Sequence, residues 1–261
     1  MIATRLLAGL VLAGLGTLAI AAPAADPADS AWLQQAQDKL QATFQNLQFE
    51  KLAPSEIPGV VEIYAGGKIL YYHPEKELLF IGEIYAANGV SLTEQKVAAF
   101  AAQKASGIDK SLALAVGAGP KEVIAFVDPD CGYCRQADAW FQAQAFPDVK
   151  ELVYFMPVKG REQAEARALA AVCAPESERR AALTRAFDNS ARLDLSQSVR
   201  CPEGLQQLAK QADTARAVGV YATPFFIIDG EVIAGFDKTR LTELLGRPAT
   251  ASRASLAPRE N

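Results

Sequence analysis

The residues of this sequence best suited to covalent chemistry are two cysteines three positions apart, Cys131 and Cys134. The apolar run 123–127 predicts a buried strand and residues 131–146 predict a helix, so the pair stands where a strand passes into a helix. Cysteines at positions i and i+3 of a first helical turn can form a disulfide, which needs Cα atoms about 4.4–6.8 Å apart.

The start of a helix also favours one of the two sulfurs as a nucleophile. Free backbone N–H groups and the positive end of the helix dipole stabilise a thiolate there. We therefore predict that Cys131 is the exposed nucleophile, and that Cys134, one turn inside, is the resolving thiol that releases a mixed disulfide. Asp128 and Asp130 lie just before Cys131, and their charges would oppose the thiolate if they face it, whereas Asp130 could instead cap the helix.

Two other uses of the cysteine pair have less support from the same residues. A zinc site would need two further ligands, and the remaining cysteines, Cys173 and Cys201, do not form a second pair of this spacing. A purely structural disulfide inside the motif would close so short a loop that it would constrain the unfolded chain little. We therefore predict a redox-active dithiol and no metal site.

Residues 1–24 predict a secretory signal peptide. Arg5 is the only charged side chain there, residues 6–22 are apolar or small apart from Thr17, and the small residues up to Ala24 fit a cleavage site. An uncleaved membrane anchor is the alternative, because an apolar stretch of about 17 residues is at the lower limit for a spanning helix. We expect the mature protein to lie outside the cytosol, where disulfides persist.

In an exported chain the two remaining cysteines most simply pair with each other. Cys173 is expected to end a helix and Cys201 precedes Pro202, so a bond between them would close a loop of nearly thirty residues. The chain-entropy model assigns such a loop about 3–4 kcal/mol of stabilisation. Two free thiols or a second redox pair are the alternatives.

The composition is that of a globular protein and argues against several kinds of function. Of 261 residues, half are hydrophobic and 21% are charged, which is neither a disordered nor a coiled-coil composition. The net charge of −4 argues against a broad phosphate-binding surface, so we expect no nucleic-acid partner. The single histidine, His73, cannot supply a metal site that needs two histidine ligands, and no cofactor is expected.

The N-terminal part of the mature chain, residues 26–90, predicts a helix followed by a small antiparallel meander. Apolar residues recur at helical spacing over 31–47, two prolines predict irregular chain over 51–59, and strands and turns alternate over 60–85. A unit this small is marginally stable alone. Its exposed strand edges would favour pairing with a second copy of the chain.

Ser91 and Glu94 form a capping-box pattern, which predicts a helix inside a connecting segment, residues 91–120. Strands and helices alternate after it, which predicts an α/β layered domain with a mixed sheet over residues 121–247. Its expected elements are strands 123–127 and 151–156, helices 131–146, 161–173, 177–188, 203–217 and 239–245, and a hairpin around Asp229 and Gly230. Residues 248–261 predict a disordered tail.

Two segments together resemble the thioredoxin superfamily. Residues 123–134, with their strand, acidic lead-in and cysteine pair, resemble the active-site segment of thioredoxin-fold oxidoreductases. Residues 219–224 resemble the loop of that superfamily in which a cis proline faces the cysteine pair. The resemblance implies that Pro224 is cis and that Thr223 offers backbone groups to a substrate strand.

Further residues narrow the resemblance to the bacterial periplasmic thiol:disulfide isomerases of the DsbC/DsbG family. Residues 55–85 resemble the dimerisation domain of that family, and residues 91–120 lie where it has a linker helix. Cys173 and Cys201 fall where it carries a second, structural disulfide.

Gly132 and Tyr133, between the active cysteines, resemble DsbC more than DsbG. By the same resemblance we expect both residues to contribute to substrate binding, together with Thr223 and Pro224.

The family resemblance implies a complete architecture and an activity. The architecture is of mixed α+β and α/β class: a small N-terminal dimerisation domain of antiparallel strands, a linker helix, and a C-terminal thioredoxin-fold domain with a helical insertion. The implied activity is that of a periplasmic homodimer that isomerises or reduces incorrect disulfides in exported proteins, and a membrane reductant such as DsbD would keep its dithiol reduced. A thiol oxidase is one alternative, and a chaperone or assembly factor in which the redox pair is secondary is another.

Overall fold

The structure, a computed structural model, describes residues 27–144 and 146–246. The predicted signal peptide, residues 1–24, and the predicted tail, residues 248–261, lie outside the described residues. Within the described ranges, no helix is both long and apolar enough to cross a membrane.

The N-terminal part folds as one helix and a four-stranded antiparallel sheet whose strands follow one another in chain order. The elements are α1 (Pro27–Thr43), β1 (Lys51–Pro54), β2 (Val61–Ala65), β3 (Lys68–His73) and β4 (Leu78–Phe80). Gly66 and Gly67 make the two-residue turn between β2 and β3, where φ angles of +56° and +77° suit glycine.

Helices cover both faces of this first sheet, α1 on one face and α2 (Leu92–Ala105) on the other. Successive strand residues point to opposite faces, so Ile63 packs toward α1 and its neighbour Tyr64 packs toward α2. On the α2 side, the buried carboxylate of Glu62 pairs with Lys96 at 2.7 Å, which compensates its burial. Helix α2 is therefore bound to the sheet by apolar packing and by an ion pair.

The predicted N-terminal elements need two corrections. Residues 51–59 are not all irregular, because β1 occupies the first four of them and pairs antiparallel with β2. Pro54 is tolerated there because it ends an edge strand, where a missing N–H need not break the ladder. In the last part of the predicted meander, residues 77–85, only β4 pairs with β3, and Ile81 beyond it is 78% exposed.

Helix α2 begins at the predicted capping residue, because the Ser91 hydroxyl accepts a hydrogen bond from the Glu94 N–H at 3.1 Å. The segment after α2 contains a strand that the sequence did not predict, β5 (Leu114–Val116), which pairs antiparallel with β7 (Val149–Phe155). Three residues are too few to show a strand pattern, so the sheet edge of β7 fixes this conformation. The second sheet therefore begins inside the segment 91–120.

The C-terminal part adds the strands β6 (Lys121–Val127), β8 (Phe225–Ile228) and β9 (Glu231–Ala234), and the helices α3 (Gly132–Gln144), α4 (Glu162–Val172), α5 (Arg179–Phe187), α6 (Pro202–Val218) and α7 (Lys238–Gly246). Its five-stranded mixed sheet has the strand order β5-β7-β6-β8-β9. The central strand β6 runs parallel to β7 and antiparallel to β8. Asp229 and Gly230 form the predicted hairpin turn between β8 and β9.

Three helices, α4 to α6, are inserted between β7 and β8, and a disulfide holds this insertion together. The sulfurs of Cys173 and Cys201 are bonded at 2.04 Å, which joins the end of α4 to the start of α6. Gly204 lies directly against the bond, since a Cβ added there would be 2.6 and 2.7 Å from the two sulfurs. The first turn of α6 therefore packs on the disulfide itself.

Helix α2 belongs to the packing of both sheets. Val97 contributes to the core beneath the first sheet, while Ala101, one turn later, packs with α6 on the second sheet. The β2–β3 turn adds a backbone contact: a Cβ placed on Gly67 would lie 1.9 Å from the carbonyl oxygen of Gly219, at the end of α6. The two parts of the chain therefore meet at a contact that only glycine allows.

This contact predicts a difference between two adjacent glycines. Gly66→Ala and Gly67→Ala both place a side chain at positive φ, but only the Gly67 substitution also meets the backbone of Gly219. We expect the Gly67→Ala variant to lose about 2 kcal/mol more free energy of unfolding than Gly66→Ala in urea titrations. Equal losses in the two variants would show that the turn does not press against α6.

Candidate active site

The active-site segment is the stretch that leads from strand β6 into helix α3. The backbone N–H of Cys131 donates to the carbonyl of Asp128 at 3.0 Å, and Arg135 N–H donates to the carbonyl of Cys131 at 3.1 Å. Cys131 therefore lies immediately before the first residue of α3, with its side chain partly exposed. The free N–H groups of the first helical turn are next to it, as the sequence predicts.

The two sulfurs differ in their surroundings. Both are free thiols in this structure, but Cys134 is only 1% exposed and belongs to the core under α3, while Cys131 is at the surface. Burial raises the pKa of the Cys134 thiol well above its usual range, and the neighbouring Cys131 adds to this effect, against an opposing contribution from the backbone of Asp128. Cys134 is therefore held protonated while Cys131 remains open to a substrate.

A second loop meets the cysteines from across the sheet. The Cys131 thiol donates a hydrogen bond to the carbonyl oxygen of Thr223 at 3.3 Å. The peptide bond between Thr223 and Pro224 is cis, and β8 starts at the next residue. Because β8 pairs with β6, the central strand fixes both sides of the site: its end supplies the cysteines and its neighbour supplies the loop.

The surface around Cys131 is partly aromatic. Gly132 is exposed and Tyr133 is 63% exposed, so both present themselves to solvent beside the reactive sulfur. Tyr221, in the loop before Pro224, instead packs its ring edge-on against that of Phe225, 6.1 Å away, and Phe225 belongs to the core on the α2 and α6 side of the sheet.

The two aspartates before Cys131 both have hydrogen-bond or ion-pair partners. The buried carboxylate of Asp128 accepts hydrogen bonds from the N–H of Asp130 at 2.8 Å and from the N–H of Val158 at 3.1 Å. The carboxylate of Asp130 pairs with the guanidinium of Arg167 from α4. Sequence reasoning missed Arg167, because it lies in an alanine-rich helix and nothing in the sequence links it to the cysteine pair.

His73 lies apart from this site. It ends strand β3 in the N-terminal sheet, and its imidazole lies near Gly59. Across residues 27–144 and 146–246, no cluster of three or more histidine, cysteine, aspartate or glutamate side chains is arranged to hold a metal ion. The reactive groups that the site brings together are its two thiols, beside the carbonyl of Thr223.

Comparison with known families identifies the N-terminal part. Residues 21–94 match the family model of the disulfide bond isomerase protein N-terminal domain, which covers α1, the first sheet and the start of α2. No curated protein matches the sequence.

Solved structures resemble part of this chain in fold. A linker-deletion mutant of ScsC from Proteus mirabilis has a TM-score of 0.50 and 19% identity, over 58% of this chain and 83% of that one. A periplasmic thioredoxin-like protein from Salmonella enterica serovar Typhimurium has a TM-score of 0.47 and 22% identity, over 55% of this chain and 93% of that one. The chain therefore has an N-terminal part that matches the disulfide bond isomerase N-terminal domain, and it shares its fold in part with the solved ScsC structure.

Proposed function

We propose that this protein is a periplasmic thiol:disulfide isomerase or reductase that acts on incorrect disulfides of exported proteins through Cys131 and Cys134. The observation that carries the proposal is the unequal exposure of the two sulfurs. Cys131 is accessible beside the Thr223 carbonyl, while Cys134 is buried and kept protonated one turn inside α3. This arrangement separates an attacking sulfur from a resolving one.

The first step is attack of the Cys131 thiolate on one sulfur of a client disulfide. A new bond forms between the Cys131 sulfur and that client sulfur, the client S–S bond breaks, and the second client sulfur leaves as a thiolate that takes up a proton. In isomerisation a different client thiolate then attacks the mixed disulfide. Cys131 is released as a thiolate, and no electrons are gained or lost overall.

Reduction follows when Cys134 resolves the intermediate instead. Cys134 loses its proton and attacks the Cys131 sulfur, the mixed disulfide breaks, and the client leaves as a dithiol while the enzyme keeps a Cys131–Cys134 disulfide. Burial of Cys134 disfavours its thiolate, so the mixed disulfide has time to rearrange before it is resolved. Each such reduction needs two electrons from outside, and we propose a membrane reductant such as DsbD as their source.

The client strand would bind along the exposed residues next to Cys131. The backbone of Thr223, before the cis Pro224, lies within hydrogen-bond distance of the reactive sulfur and can receive an extended segment. Gly132 leaves room for the client backbone, and the exposed ring of Tyr133 offers apolar contact.

Refolding of a scrambled protein with several disulfides tests the proposed activity. We expect Cys131→Ala to abolish the gain in refolding yield, because the attacking sulfur is gone. Cys134→Ala should keep part of the yield but accumulate mixed disulfides that a gel without reductant resolves. An unchanged yield with Cys131→Ala would favour a chaperone, and activity only on fully reduced clients would favour an oxidase.

We further propose that the N-terminal sheet pairs two copies of the chain. Strand β4 is an edge strand, and the apolar side chains of Leu78, Phe80 and Ile81 on and after it are exposed. An edge of this kind presents unpaired backbone groups beside apolar surface, which favours strand pairing with an identical edge. The match of residues 21–94 to an isomerase N-terminal domain agrees with this assignment.

Sedimentation of the purified protein tests the dimer. We expect a dimer at micromolar concentration and a monomer for Ile81→Lys, since a charge on the exposed edge would have to be buried. Val199→Lys is the matched control, because Val199 is also an exposed apolar residue but lies in the helical insertion. A monomeric wild type, or equal dissociation of both variants, would contradict the assignment.

A further inference from the structure

A carboxylate close to a thiolate works against the nucleophile, and this chain has two aspartates within three positions of Cys131. Asp128 and Asp130 lie between the end of β6 and the start of α3, and Asp130 is the residue immediately before Cys131. An uncompensated negative charge at this position would oppose the favourable field of the helix N-terminus. The structure contains a separate means of compensation for each carboxylate.

Asp128 is compensated by backbone groups. Each of its two carboxylate oxygens accepts one N–H, from Asp130 and from Val158, so its charge is stabilised by donors that the fold fixes in place. These two bonds also tie the active-site segment to the loop after β7. Asp128 therefore organises the turn, and its charge is already balanced locally.

Asp130 is compensated by a side chain from another element. Arg167 lies on α4, is only 6% exposed, and pairs its guanidinium with the Asp130 carboxylate. Hydrogen bonds from Ser190 lower the pKa of Asp188, at the end of α5, and the charge of Arg167 lowers it slightly further. A buried cation is costly unless it is paired with an acid, and the Asp130 carboxylate provides that pairing for the guanidinium of Arg167.

A second cation close to the active-site segment, Arg135, has different partners. Arg135, on the first turns of α3, donates to the backbone carbonyls of Pro129 at 3.5 Å and of Asp130 at 3.1 Å. It therefore binds the peptide backbone rather than the Asp130 carboxylate. Arg167 is the residue that neutralises the charge next to Cys131.

From this we infer that Arg167 is a positioning residue for the reaction. By pairing with the Asp130 carboxylate from α4, Arg167 neutralises the negative charge that would otherwise oppose the positive end of α3 at the Cys131 sulfur. The inference rests on the proposed function, since it concerns the reactivity of the same sulfur. It predicts that Asp130 and Arg167 have opposite effects on Cys131, which a purely structural ion pair would not produce.

Opposite charge changes test the inference. With Arg167→Met, the unbalanced Asp130 should slow alkylation of Cys131 in mildly acidic buffer, measured in a Cys134→Ser background, by about three- to tenfold. Asp130→Asn should accelerate it by a similar factor, because Arg167 then acts on the thiolate alone. The combined variant Asp130→Asn with Arg167→Met should return to within about twofold of the parent rate.

The equilibrium with glutathione gives an independent readout on the full chain with both active cysteines. We expect Arg167→Met to shift this equilibrium toward the Cys131–Cys134 disulfide and Asp130→Asn to shift it toward the dithiol. Arg167→Lys, which keeps the charge, should remain close to the wild type. Arg180→Met is the matched control, because Arg180 forms its ion pairs with Glu151 and Asp138 in the same domain and not with the acid next to Cys131.

The outcomes separate this inference from the proposed function. If all Asp130 and Arg167 variants move the rate and the equilibrium in one direction, together with a lower urea midpoint, the ion pair is only structural and the inference is overturned. If the wild type exchanges with glutathione but the single variants match Arg180→Met, the inference is again overturned while the proposed function stands. A wild type that does not exchange at all would overturn both.

Discussion

The active site depends on the pairing of strand β8 with the central strand β6. That pairing brings the Thr223 carbonyl to 3.3 Å from the Cys131 sulfur, although the two residues are far apart in the sequence. Helix α3 starts at the end of β6 and lies on the sheet, so the same strand also decides which cysteine is exposed. One turn of helix is enough to bury Cys134 in the core and to leave Cys131 outside. The division of roles between two identical thiols is thus a consequence of sheet geometry.

Three other parts of the chain hold this arrangement in place: α4, α6 and the N-terminal part. Helix α4 brings Arg167 to the acidic lead-in, and the disulfide between Cys173 and Cys201 ties the end of that helix to α6. Helix α6 in turn ends at Gly219, directly before the loop that carries Thr223, and there it meets the turn at Gly67 of the first sheet. The loop that faces the cysteines is therefore in contact with the N-terminal part, and α2 joins the cores of the two sheets.

Much of the fold and of the active site could be predicted from the sequence, and there are physical reasons why the other features could not. The cysteine pair at a strand–helix junction, the cap at Ser91 and the hairpin at Asp229 are local patterns, and the structure has each of these elements where expected. Strands β1 and β5 escaped prediction because they are short edge strands whose conformation is set by their partners β2 and β7. Arg167 and the contact between Gly67 and Gly219 join residues distant in sequence, and a single sequence carries no signal for such pairs.

The central claim is that the two active sulfurs, three residues apart, differ in access, and that burial keeps the Cys134 thiol protonated. Limiting iodoacetamide added to the fully reduced protein, followed by peptide mass spectrometry, measures this difference directly. The account predicts that the label appears on Cys131 first, while Cys134 stays unmodified until the protein is unfolded. Equal labelling of both cysteines in the folded protein, or earlier labelling of Cys134, would contradict it.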